Sequence, residues 1–178
     1  MRGVVKNSSY LFSSTAAAVV LSMLQSIFAA RLLGVLEFGI LSGTIIPFVS
    51  NVNRLLSFRM SELVVKYWGE FSASGDKERA SAVVKGALFM EVLTAVLAYV
   101  VLILVAPLAA RYVAKDLQTQ PLFLIYGLVL LANSTYETSI GVLQSVRLFN
   151  RIAQINLIQN LITASLIFIA YILKRGMV

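Results

Sequence analysis

Five stretches of the chain carry no charged residue: Asn7–Ala30, Phe38–Asn53, Val92–Ala110, Leu117–Tyr136 and Ile152–Leu173. A helix needs about 20 largely apolar residues to cross a hydrocarbon layer of about 30 Å, and a soluble core does not repeat such runs five times in a short chain. The pattern predicts an all-α integral membrane protein. Its single domain, 1–178, holds five transmembrane helices over about residues 7–33, 38–60, 77–110, 121–147 and 152–173. Residues 61–71 read differently. Leu63, Val64, Tyr67, Trp68 and Phe71 fall on one side of a helix there, with Glu62, Lys66 and Glu70 on the other. That segment suits an interfacial amphipathic helix at the cytoplasmic surface, anchored by its aromatic residues.

Local signals refine the elements. Ser14, Ala18, Ser22, Ser26 and Ala30 recur every four residues and give the first helix a face of small side chains, the kind that permits close helix approach in lipid. Gln25 is expected to bond across to a neighbouring helix. Gly34 is a C-cap candidate, Pro47 should bend the second helix, Asp76 should cap the third, and Pro121 suits the first turn of the fourth. Apart from Ala-Ala-Arg at 29–31 and 109–111, no internal repeat is present. The basic start, Met1 to Lys6, leads into an apolar run too long for a cleavable signal, so a retained first helix is expected.

Composition agrees with a bilayer. Hydrophobic residues make up 59% of the 178 positions, above the roughly 45–50% of soluble domains. Net charge is +7, but no basic stripe with stacking aromatics marks a nucleic-acid partner. With the N-terminus in the cytoplasm, the inner segments hold Arg2, Lys6, Arg59, Lys66, Lys77, Arg79, Lys85, Arg147 and Arg151. The outer ones hold Arg31, Arg111, Lys115, Lys174 and Arg175; nine inside against five outside favours that orientation. Cysteine and histidine are absent, which removes disulfides, thiolate or imidazole chemistry and Cys/His zinc sites. No phosphate loop, metal cluster or nucleophile–base pair appears, so neither an enzyme nor a cofactor is expected.

The candidate chemistry is the polar residues inside the apolar runs. Asn51 and Arg54 share a face of the second helix, Glu91 and Thr94 come early in the third, and Asn133, Tyr136, Glu137, Gly141 and Gln144 follow one face of the fourth. Asn156, Gln159, Asn160 and Thr163 form a stripe on the fifth. A charge at that depth costs about 3 kcal/mol. These residues therefore predict an aqueous cavity open to the cytoplasm, with Arg54 as anion anchor and Glu137 or Glu91 as its partner. Each has a plainer reading: Arg54 and Glu91 reaching for the headgroups, and the amides bonding between helices for about 0.6 kcal/mol apiece.

Three stretches carry a family resemblance. Ala30-Arg-Leu-Leu-Gly-Val-Leu-Glu-Phe-Gly39, Lys66-Tyr-Trp-Gly-Glu-Phe-Ser-Ala-Ser-Gly-Asp-Lys-Glu-Arg79 and Gly141-Val-Leu-Gln-Ser-Val-Arg-Leu-Phe-Asn-Arg151 lie in matching order and spacing. They resemble polysaccharide (O-antigen type) flippases of the multidrug/oligosaccharidyl-lipid/polysaccharide exporter superfamily. The resemblance implies a partial lobe of a MATE-like two-lobed transporter. It also implies a lipid-linked oligosaccharide as substrate, H+ or Na+ as coupling ion, and a missing C-terminal half as partner. Arg54 matches an arginine that relatives often carry in the second helix. Two alternatives stay open: a multidrug exporter taking organic cations, and a membrane scaffold subunit that transports nothing.

Overall fold

The structure, a computed structural model, describes residues 19–176, with side chains through residue 173. The expected beginning of the first helix, its small residues Ser14 and Ala18, and the side chains of Lys174 and Arg175 lie outside that range. Helix α1 (Val19–Leu33) ends at Gly34, whose φ of 96° is in the left-handed region and whose amide donates to Ala30 O at 2.9 Å. That is the glycine C-cap expected from the sequence. Helix α2 (Val35–Leu56) passes through a π-helical turn at Leu41–Ile45. Proline has no N–H to donate to the preceding turn, and just before Pro47 the helix widens into this turn, with the Ile46 amide donating to Leu41 O.

The chain then turns extended at Ser57, with ψ 135°, and left-handed at Arg59, with φ 50°, before α3 (Met60–Ala73). Helix α4 (Lys77–Val113) starts at Asp76, whose carboxylate accepts from the Arg79 amide at 3.0 Å. After it come α5 (Gln120–Ala132), α6 (Tyr136–Ser145) and α7 (Phe149–Gly176). The described residues contain no strand. Among the described residues, three segments are long and apolar enough to cross a bilayer: α2, α4 and Phe149–Leu173 of α7, with 22, 37 and 25 residues. By length and composition, the chain is that of a membrane protein.

One expected element is divided. The fourth helix, read from sequence as 121–147, is two helices separated by Asn133-Ser134-Thr135. Short polar side chains of these types compete with the helix for backbone hydrogen bonds, and Thr135, at φ −126° and ψ 4°, has left the helical region.

The chain forms two compact units. Of the described residues, one contains 19–39 and 148–176. Within it, Gln25 Nε2 donates to Asn160 O at 2.8 Å, and the Phe28 ring meets Phe168 and Tyr171 edge-on at 5.6 and 5.5 Å. The other unit, Ile40–Arg147, is built on α4. The buried face of α4 is nearly all small: Ala80, Ala87, Ala95, Ala98 and Ala106, with Leu102 and Glu91 between them. Alanines let neighbouring backbones come close, which is how helices hold together when lipid offers no hydrophobic drive. Ile45 and Val49 of α2 and Phe123 and Leu130 of α5 complete this core, with Phe48 edge-on to Phe123 at 5.4 Å. Helix α3 packs along both α4 and α6 and buries Met60 and Val64 against Ala87.

Helix α6 comes backbone to backbone with α3 at Gly141. A Cβ added to Gly141 would lie 2.9 Å from Ser61 O and 3.0 Å from Ser61 Cα and Val64 Cβ. Backbone and buried valine have no room to give. Gly141→Ala should cost about 1–3 kcal/mol through overpacking, read as a lower thermal midpoint of the detergent-solubilised protein. Gly86→Ala, with nothing within 4 Å of the new methyl, should match or exceed the parent midpoint.

Candidate functional site

The break between α5 and α6 exposes the first amides of a new helix, which have no partner inside that helix. Thr135, at the N-cap position, supplies no side-chain hydrogen bond. The acceptor comes from another helix. Glu91 of α4, only 7% exposed, accepts the Glu137 amide on Oε1 at 2.8 Å and the Thr138 amide on Oε2 at 3.0 Å. These are the second and third residues of α6, the two amides that a local capping residue would serve. The carboxylate also sits at the positive end of the helix dipole. A buried carboxylate is costly when unpaired; here both oxygens are paired.

Beside this cap lies a pocket of about 150 Å³ among α2, α4 and the α5–α6 break. Its polar lining comes from Asn53 and Ser57, from Glu91 and Thr94, and from Asn133, Ser134, Tyr136 and Glu137. Ser57 Oγ donates to Glu137 Oε1 at 3.2 Å. The second carboxylate oxygen of Glu137 is shielded from solvent and has no hydrogen-bond partner in the protein, as is true of Thr138 Oγ1. Among the described residues neither Glu91 nor Glu137 forms an ion pair; the ion pairs there, Arg59–Glu62 and Arg79–Asp76, each lie within one turn of chain.

The candidate residues read from the sequence fall into three groups. Glu91 and Glu137 meet at the pocket. Asn51 and Arg54 are exposed on α2 and do not line it, and Gln144 lies half-buried further along α6. Arg54 is not paired with either glutamate; a serine hydroxyl and backbone amides take the place expected of the guanidinium. Asn156 and Asn160 belong to the other unit, where Asn160 Nδ2 donates to Asn156 O at 2.8 Å along α7 itself. Three polar pocket residues are absent from the sequence-derived candidates: Asn53, Ser57 and Ser134. For the first two the signal was available, since they stand one helical turn apart on a segment already marked as polar.

Removing the cap has a calculable effect. Glu91→Ala leaves two buried amides unpaired at about 1–3 kcal/mol each, whereas Glu91→Gln keeps a neutral acceptor for one of them. Hydrogen exchange at the amides of Glu137 and Thr138 should therefore speed up strongly in the alanine variant and less in the glutamine variant. Exchange in the middle of α5 should change least.

No protein-family model, curated protein or solved structure matches the chain, so its function is read from the chemistry of this site.

Proposed function

We propose that this chain is part of a membrane transporter of the polysaccharide-flippase kind, which moves lipid-linked oligosaccharides across the cytoplasmic membrane by alternating access. The observation that supports it best is the broken helix α5–α6, whose second half is capped by a buried carboxylate from α4. Irregular backbone at membrane depth persists only where protein or an aqueous cavity covers it. Discontinuous helices of this type build the substrate and ion sites of secondary transporters.

On this reading α1 and the broken α5–α6 segment cross the bilayer together with α2, α4 and α7. The resulting five crossings form part of one lobe of a MATE-like carrier, with the N-terminus in the cytoplasm and α3 at the inner surface. Arg54 and Asn51, exposed on α2, would meet the substrate's diphosphate while its lipid tail stays in the bilayer. The substrate class rests on the resemblance of the three quoted stretches.

A second reading, an exporter of organic cations, is favoured by one feature: the pocket is lined by two carboxylates and by no lysine or arginine. Its volume argues against that use. At about 150 Å³ it is smaller than the roughly 300–1,000 Å³ of sites for drug-sized ligands.

The chain has no native cysteine, so single cysteines report accessibility directly. In membrane vesicles, a membrane-impermeant thiol reagent on the cytoplasmic side should label Asn53→Cys and Ser134→Cys but not the apolar-face variants Leu104→Cys and Ile125→Cys. Uniform protection would remove the transport reading and leave the scaffold. Added lipid-linked oligosaccharide should slow labelling of Asn51→Cys; slowing by an organic cation instead would select the exporter.

A further inference from the structure

Helix α7 carries a seam that is left open on its surface. Ile155, Gln159, Ile162, Leu166, Ile169 and Leu173 follow one another at steps of four, three, four, three and four residues, and all six are exposed. That alternation is the seam of a left-handed coiled coil, which keeps one stripe of a helix turned toward a partner over several turns. Within the unit it forms with α1, the contacts of α7 lie on its other side. Phe168 and Tyr171 meet the Phe28 ring there, and the Asn160 carbonyl accepts from Gln25. Phe168 stands about half a turn round the helix from Leu166.

Gln159 is the one polar member of the seam, near the middle of Phe149–Leu173, the stretch long and apolar enough to cross a bilayer. Its side-chain amide has no hydrogen-bond partner among the described residues. The bond it receives from Thr163 Oγ1, at 2.9 Å, goes to its backbone carbonyl. Lipid tails offer an amide no hydrogen bond, so a partner helix has to bring one, and side-chain amides bonded between helices are a recurring glue in bilayers.

The chemistry selects that partner. A primary amide is donor and acceptor at once, and so is complementary to itself. The bilayer receives every copy of the chain the same way round, so the α7 helices of two copies run parallel. In a parallel pair in register, like positions lie at one level, and each Gln159 amide can donate to the other's carbonyl. A helix of unrelated sequence would need an amide at that one level, whereas a second copy supplies it by symmetry. A lone polar residue in the seam also fixes the register, because any slip leaves both amides unpaired.

We propose that α7 is a self-association seam, along which the chain pairs with a second copy of itself and Gln159 bonds to the same residue of that copy. The proposal rests on α7 crossing the membrane and not on what the protein carries. A chain that pairs but moves no lipid-linked sugar would fail the transport reading alone.

The test uses single cysteines in the full chain, which has none of its own, in the membranes of the expressing cells. A disulfide needs Cα atoms within about 7 Å of each other. Under a mild oxidant, Leu166→Cys and Ile162→Cys should therefore give linked pairs of chains, and Leu161→Cys, exposed but turned away from the seam, should not. Energy transfer between copies labelled at Ser74→Cys, an exposed position outside α7, then reads the strength of pairing in liposomes of increasing lipid content. Gln159→Leu should weaken pairing about tenfold, while Gln159→Asn, which keeps the amide, should stay nearer the parent. Both should keep the parent's thermal midpoint under conditions where the chain is monomeric. Three results would each overturn the proposal: linkage at Leu161→Cys as ready as at Leu166→Cys, which is chance collision; no linkage at either seam position, which gives the seam to some other helix; or equal dependence on lipid content in Gln159→Leu and the parent.

Discussion

A single carboxylate on two backbone amides makes this arrangement of helices possible. Taking Glu91 out of water costs several kcal/mol, and starting a buried helix with unpaired amides is also costly. Each cost is met by the other's group: the carboxylate gains two charge-assisted hydrogen bonds and a favourable dipole, and α6 gains its cap. Without Glu91 the cheaper course for residues 120–145 would be one uninterrupted helix, with every amide bonded internally.

The same helix that supplies the cap also supplies the packing. The alanines of α4 bring α2, α3 and α5 close enough that a side chain as short as glutamate reaches a neighbouring backbone. Ala87, Glu91 and Ala95 stand at four-residue intervals on the buried face, so the charge lies in the groove made by the small residues. Where glycine replaces alanine, the approach is closer still: Gly127 admits Leu102 and Tyr99, and Gly141 admits the Ser61 backbone. The polar pocket is a by-product of this geometry, because the interrupted helix ends its first half and begins its second against the same wall.

The sequence made the local features legible. Charge-free runs, the Gly34 stop and the Asp76 cap each depend on a few neighbouring residues, and helical periodicity carries that information. Glu91 and Glu137 stood out because a carboxylate in an apolar run needs a partner. Which partner they take was not legible. A helical wheel places Asn51 with Arg54, and Asn53 with Ser57, yet does not say which pair lines the pocket; packing against the alanine face of α4 decides that. Likewise Asn133 and Gln144 share a face only on an unbroken helix. The polar run Asn133-Ser134-Thr135 reads as part of a stripe, although those same side chains end α5 and start α6 on a new axis.

Helix α6 is only Tyr136–Ser145 long, and it is fastened at both levels it possesses. Its first turn hangs on a side chain of α4, and its middle lies backbone to backbone on α3. A rod held this way has no rotation of its own: any sliding of α4 is passed through α6 to α3. The exposed Tyr67 and charged Lys66 stand on that last helix, so a chain of direct contacts, Glu91 to α6 and α6 to α3, links the buried carboxylate to the protein's outer face.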